Sequence, residues 1–134
     1  MKERTIYITQ ADMERLRSLI SINNGNGGFL ESLEEELDSA RIVEPKNVPH
    51  DVVTMNSVLN IKDLDSCEEK IVTLVFPNKV GLTENGVSIM APVGAALIGQ
   101  REGDKIKWKG PAGEKRFQVT EIIYQPERIG NYNL

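Results

Sequence analysis

Residues 90–104 read MAPVGAALIGQREGD and form the most particular segment of this 134-residue chain. A proline followed by alanines, a glycine and aliphatic residues is typical of a short, tightly packed helix with proline in its first turn. We predict that this helix runs from Pro92 to Ile98. Glu102–Asp104 then predicts a turn into a strand, Lys105–Trp108, whose lysines face away from its two apolar side chains.

The sequence around this helix is predominantly of the β type. Clusters of Gly, Asn, Asp and Pro separate four further predicted strands, which are Val52–Ile61, Lys70–Phe76, Val87–Met90 and Arg116–Tyr124. Two prolines between residues 45 and 49 disfavour helix at their own positions and at the residues before them. We therefore predict an α+β protein with an N-terminal unit at 1–44, a linker at 45–50 and a β-rich domain at 51–134.

The first 44 residues predict a short antiparallel helical hairpin. Thr9 and Asp12 form a capping box ahead of a helix that begins near Gln10. Residues 23–28, which are only Asn and Gly, end this helix and reverse the chain. Apolar residues at three- and four-residue steps give both helices a matching seam. The seam consists of Met13, Leu16 and Ile20, followed by Leu30, Leu33, Leu37 and Ala40.

The order of these motifs resembles that of a known protein family. The proline-led helix, the Glu-Gly-Asp turn and the Pro-Ala-Gly hairpin at 111–113 resemble the C-terminal domain of the bacterial Gre transcript-cleavage factors. The sequences PHDVVTMNS at 49–57 and YQPE at 124–127 are similar to the Rnk family, small Gre relatives called regulators of nucleoside diphosphate kinase. The resemblance covers essentially the whole chain. It implies a shortened coiled coil followed by an FKBP-like domain of the GreA/GreB C-terminal type, with a bent antiparallel sheet and one short helix.

The same resemblance implies a transcription regulator that binds RNA polymerase. In the Gre factors the C-terminal domain grips the β′ subunit at the rim of the secondary channel, and the loop ahead of the small helix is among its contacts. The matching positions, our expected partner-binding residues, are Ile89, Met90, Ala91, Pro92 and Val93. Met90 and Ala91 stand where Gre factors commonly have polar residues. Methionine adapts to irregular apolar surfaces, so Met90 is either a partner contact or a buried gap-filler.

The predicted tip of the hairpin lacks the chemistry of the Gre factors. Their longer coiled coil places acidic residues beside the catalytic magnesium, since a hard dication takes oxygen ligands and activates water. Residues 23–28 contain no carboxylate, and a helix of about 13 residues is only roughly 20 Å long. We therefore predict docking that competes with Gre factors and does not stimulate transcript cleavage. The family name implies an alternative, which is direct or indirect regulation of nucleoside diphosphate kinase.

Charged residues form two possible secondary contact surfaces. Residues 1–44 hold nine acidic and five basic residues, and no Lys or Arg within 29–40 relieves the repulsion along the second helix. This acidic face is either a solvated surface or a contact inside a channel. Lys105 and Lys107 either steer the protein toward an acidic partner or solubilise an edge strand. The acidic surface consists of Glu31, Glu34, Glu35 and Asp38.

Composition argues against several classes of function. The net charge is −4, and residues 45–134 hold eleven acidic and eleven basic residues, which disfavours sequence-specific binding of nucleic acid. No apolar run is long enough for a signal peptide or a membrane span, so we expect a cytoplasmic protein, and the single Cys67 fits that expectation. The sequence has no nucleophile–base pattern, phosphate loop or metal-ligand cluster. We expect no enzymatic activity, no cofactor and no metal.

Overall fold

The computed structural model describes residues 6–22, 28–110 and 113–126. In these ranges a pair of helices precedes a five-stranded sheet and a short third helix. The helices are α1 (Gln10–Ile22), α2 (Gly28–Asp38) and α3 (Pro92–Leu97). The strands are β1 (Tyr7–Ile8), β2 (Arg41–Ile42), β3 (Val58–Asp63), β4 (Glu69–Val75), β5 (Gly86–Ser88), β6 (Lys105–Gly110) and β7 (Gly113–Tyr124). Two 3-10 turns occupy Pro45–Asn47 and Pro77–Leu82. The predicted mixture of helix and sheet is confirmed.

The five-stranded sheet has the order β5-β4-β3-β7-β6. Strands β4 and β5 are parallel, and the other neighbouring pairs are antiparallel. The long strand β7 shifts register against β3 at two places, and such irregularities bend a strand. Leu59 and Ile61 on β3, with Val119 and Ile122 on β7, are buried and form one face of the core.

The predicted strand Val52–Ile61 is wrong in its first half, because β3 begins only at Val58. Residues 54–57 form a turn in which the Ser57 hydroxyl accepts a hydrogen bond from the Thr54 amide at 3.0 Å. Asn56 has a φ of 67°, which no regular strand contains. The apolar residues of this segment are buried in a turn and therefore imitate a strand pattern. The other predicted strands and the predicted helix are present, and their ends differ from the predicted ones by at most three residues.

The two N-terminal helices, called the helix pair below, begin and pack largely as predicted. Helix α1 starts at Gln10, and the Thr9 hydroxyl accepts a hydrogen bond from the Asp12 amide at 3.3 Å. The two-residue strands β1 and β2 pair in parallel, which brings the start of α1 beside the end of α2. Residues 23–27 of the predicted tip lie outside the described residues, and Gly28 is the first residue of α2. The predicted seam residues Met13, Leu16, Ile20, Leu33 and Leu37 are all buried.

The helix pair and the sheet share one hydrophobic core. Leu16 and Leu37 belong to the same buried cluster as Leu59 and Ile122 of the sheet. Helix α2 also contacts α3. Between the two parts, Val48 of the connecting segment is buried. The division of the chain at 45–50 stays a prediction about its organisation, but the side chains on both sides of it pack together.

Candidate functional site

The segment 88–93, called the α3 loop below, links β5 to α3 and contains the predicted partner-binding residues. The Ser88 hydroxyl accepts a hydrogen bond from the Met90 amide at 3.0 Å, and the Ser88 carbonyl accepts one from the Ala91 amide at 3.0 Å. The Ile89 amide donates to the Val75 carbonyl at 2.9 Å. The backbone of the loop is therefore tied both to itself and to strand β4.

Helix α3 lies directly against the backbone of this loop, and Gly94 makes that approach possible. A Cβ atom at position 94 would lie 1.9 Å from the Ser88 carbonyl oxygen and 3.2 Å from the Ile89 Cα. Since ordinary contacts begin near 3.4 Å, a side chain does not fit there. Gly94, which has no side chain, thus lets α3 pack directly against the backbone of the loop.

The five predicted contact residues differ in their exposure. Ile89 is 0% exposed and belongs to the core. Met90 and Val93 are partly buried and pack against the core, while Ala91 is also partly exposed. Pro92 begins α3, and its side chain lies outside the described part of the chain. The loop therefore presents parts of Met90, Ala91 and Val93 to solvent, while Ile89 anchors it.

The acidic surface of α2 is less repulsive than its sequence predicts. Glu34 and Glu35 are exposed, and the side chain of Glu31 lies outside the described part. Asp38 pairs with Arg17 of helix α1 at 2.9 Å. The expectation that nothing relieves this charge is wrong at Asp38, because a count of charges along one helix does not include the neighbouring helix. Both partners are largely exposed, so the pair contributes little to stability.

The lysines of β6 alternate with an apolar residue as predicted. Lys105 and Lys107 are exposed, and Ile106 between them is buried. Lys107 lies 3.8 Å from Glu114 on β7. Strand β6 is an edge of the sheet and contacts α3, which also contacts α2. Helix α3 therefore contacts both of the other elements that carry a predicted surface, α2 and β6.

Sequence reasoning missed the contacts of a cationic residue, Arg101, in the turn that follows α3. Arg101 Nη1 donates hydrogen bonds to both carboxylate oxygens of Asp51, at 2.7 and 2.8 Å. These bonds raise the pKa of the Arg101 guanidinium. The same group lies 5.7 Å from the centre of the Tyr7 ring. Asp51 and Arg101 are fifty positions apart, so no local pattern connects them.

The described residues offer neither a metal site nor a membrane-spanning helix. No group of three or more His, Cys, Asp or Glu side chains within 6–22, 28–110 and 113–126 is arranged to hold a metal ion. His50 and Cys67 are both exposed. None of the helices in this part of the chain has the length and apolar character required to span a membrane.

Both parts of the chain match known protein families. The family model of the Rnk N-terminus matches residues 4–43, and that of the transcription elongation factor GreA/GreB C-terminal domain matches residues 48–124. The regulator of nucleoside diphosphate kinase from Escherichia coli K12 is 42% identical over the full length of both chains. These matches agree with the resemblance carried by residues 49–57 and 90–104.

Gre proteins are similar in both sequence and structure. The transcription elongation factor GreA of Helicobacter hepaticus is 31% identical over 72% of this chain and 62% of its own length. The solved structure of a prokaryotic transcription elongation factor GreA/GreB from Nitrosomonas europaea is 38% identical. It superposes with a TM-score of 0.77 over 90% of this chain and 100% of that one. The chain therefore belongs to the Rnk family, whose members join an Rnk N-terminus to a domain of the GreA/GreB C-terminal type.

Proposed function

We propose that the protein is a transcription regulator that binds RNA polymerase at the β′ rim of the secondary channel. It competes there with Gre-type factors and does not stimulate transcript cleavage. The observation that supports docking most strongly is the α3 loop. Its backbone is fixed by Ser88 and Gly94, and it lies inside the segment that matches the GreA/GreB C-terminal family.

The exposure of the five proposed docking residues supports a different proposed role for each group. Ile89 is an anchor, because its side chain is buried. Met90, Ala91 and Val93 are partly exposed and serve as the apolar contacts, while Pro92 starts the supporting helix. Apolar side chains held in one conformation lose little entropy on binding, which makes them effective contacts. The proposal includes secondary polar contacts with the partner from Glu31, Glu34, Glu35, Asp38, Lys105 and Lys107.

The helix pair occupies space without supplying chemistry. Helix α1 has 13 residues, so it is about 20 Å long. The sequence between α1 and Phe29 contains no carboxylate, and magnesium-assisted hydrolysis requires oxygen ligands of that kind. The proposal retains a short coiled coil at 1–44, a linker at 45–50 and an FKBP-like domain at 51–134. It places a non-enzymatic protein without a cofactor in the cytoplasm, where RNA polymerase is found.

Binding of the purified protein to core RNA polymerase tests the docking surface. Val93→Asp and Met90→Asp place a charge on the proposed contact, and we expect each to weaken binding at least tenfold, which corresponds to about 1.4 kcal/mol. Ile71→Asp is the matched control, because Ile71 is 50% exposed on β4, outside the α3 loop. Absence of wild-type binding at micromolar concentration, or equal binding by all three variants, would contradict the proposal.

A second candidate function is regulation of nucleoside diphosphate kinase. It is favoured by the name of the Escherichia coli relative, a regulator of nucleoside diphosphate kinase that is 42% identical to this chain. Polymerase binding with altered transcription offers an indirect route to such an effect. Titration calorimetry of the protein with purified kinase separates the two routes. Direct kinase binding in the absence of polymerase binding would favour this second function.

A further inference from the structure

The side chain of Arg101 joins two parts of the chain that the sequence separates. Its guanidinium donates to both carboxylate oxygens of Asp51, which lies in the segment between β2 and β3, called the connector below. It also lies over the ring of Tyr7 on β1, which leads directly into α1. One cation therefore contacts the connector and the base of the helix pair at the same time.

Arg101 itself projects from a fixed backbone. Its amide donates to the Asp104 carboxylate at 2.8 Å, and its backbone pairs with Val52 in an isolated antiparallel bridge. The following amide, that of Glu102, donates to the Asp51 carbonyl at 3.0 Å. The turn after α3 and the connector are thus held together by their backbones before the side chain adds its own contacts.

Ile6, the first of the described residues, packs against Gly99 in the turn after α3. Gly99 has a φ of +83°, and a Cβ atom there would lie 2.8 Å from Ile6 Cγ1 and 3.1 Å from Ile6 Cα. Ile6 is almost fully buried. On helix α1, the Arg15 guanidinium lies 5.5 Å from the centre of the Phe76 ring, at the end of β4. The helix pair therefore contacts the sheet domain at several separate points.

The connector is also held by strand β7. The buried Gln125 side chain donates from Nε2 to the carbonyls of Pro49 at 2.9 Å and Val52 at 2.8 Å. Together with Arg101, it fixes the connector at 49–52 from two directions. A segment held in this way does not act as a free hinge.

We propose that Arg101 is a positioning residue that, together with the shared core, holds the helix pair in one orientation relative to the α3 loop. The direction of the helix pair is then set before any partner binds. This inference concerns the free protein, and it stands or fails independently of the polymerase proposal.

Distances between paired spin labels test the inference in the full-length free protein. Labels at Ser18→Cys on α1 and Glu121→Cys on β7, both exposed positions, report the placement of the helix pair when the native Cys67 is replaced by serine. We expect one narrow distance distribution for the otherwise wild-type chain. Arg101→Ala is expected to widen it, while the shared core keeps the mean distance close to the wild-type value.

A matched control separates orientation from general loss of an ion pair. Arg116→Ala removes an Arg–Asp contact of 2.6 Å to Asp65 at comparable exposure, without touching the helix pair, and the narrow distribution is expected to persist. Arg101→Lys keeps the charge, and its distance distribution is expected to be narrower than that of Arg101→Ala. Tyr7→Leu removes the ring contact without removing the cation, and it is expected to broaden the distribution even if Arg101→Ala does not fold. A broad distribution in the wild-type background, or no difference of Arg101→Ala and Tyr7→Leu from Arg116→Ala, would overturn the inference.

Discussion

Replacement of Gly94 by alanine is expected to destabilise the protein through a single added methyl group. The new Cβ atom would lie 1.9 Å from the Ser88 carbonyl oxygen and 2.8 Å from its carbonyl carbon. To reach an ordinary contact distance, α3 and the α3 loop must separate by about 1.5 Å. The atoms that must move belong to the backbone, so no side-chain rotation relieves the clash.

The magnitude follows from two opposing effects. Overpacking of a rigid site costs about 1 to 3 kcal/mol, and a backbone clash falls at the upper end. Alanine favours helix over glycine by about 1 kcal/mol, which offsets part of that cost. We therefore expect a loss of about 2 kcal/mol in the free energy of unfolding. For a domain of this size, that loss lowers the melting temperature by roughly 6 to 10 °C.

Thermal unfolding followed by circular dichroism measures this difference. Gly81→Ala is the control, because a Cβ atom at position 81 meets nothing within 4 Å. Its melting temperature should equal that of the wild type or exceed it slightly, since alanine restricts the unfolded chain. If Gly94→Ala melts at or above the wild-type temperature, then α3 does not lie against the loop backbone as described.

Three further predictions concern the helix pair, the shared core and a turn. Thr9→Ala removes the cap on α1 and should cost about 1 kcal/mol in the free energy of unfolding by urea. Leu16→Ala should lower the free energy of unfolding by about 2 to 5 kcal/mol. Because Leu16 lies in the core that the helix pair shares with the sheet, the helix and sheet signals of this variant should melt together. Two separate transitions would contradict the shared core. Asp63 accepts hydrogen bonds from the Asp65 and Ser66 amides, which lower the pKa of its carboxyl below the ordinary value for aspartate. A carboxyl whose pKa is lower in the folded state stabilises the protein above its unfolded-state pKa, and this stabilisation is lost as the pH falls through its folded-state pKa. The melting temperature of the wild type should therefore exceed that of Asp63→Asn by less below about pH 4 than at neutral pH. An advantage that does not change with pH would refute this last prediction.

The sequence predicts the elements whose cause is local. The seam of α1 follows from the three- and four-residue spacing of Met13, Leu16 and Ile20, and the helix start follows from Thr9. The turn at 54–57 was not predicted, because its geometry depends on the hydrogen bond from the Thr54 amide to the Ser57 hydroxyl and on a positive φ at Asn56. A periodic pattern reports burial, and burial alone does not distinguish a strand from a closed turn.

The α3 loop and its helix could be predicted from the sequence, but the directions of the side chains in the loop could not. The motif at 90–104 identifies the loop and its helix. Whether Ile89 faces the core or the solvent depends on the pairing of its amide with Val75 on a distant strand. The contacts of Arg17 with Asp38 and of Arg101 with Asp51 join elements far apart in sequence, so they appear only after the chain is folded.

The most direct test of the central claim is a transcript-cleavage assay on stalled elongation complexes, with a GreA factor present and this protein titrated against it. The account predicts that the protein alone produces no cleavage and that its addition progressively suppresses GreA-stimulated cleavage, while Val93→Asp suppresses it far less. Cleavage stimulated by the protein alone would contradict the proposal that residues 23–28, which contain no carboxylate, do not support catalysis. Cleavage by GreA that is unaffected at saturating protein would contradict docking at the shared site.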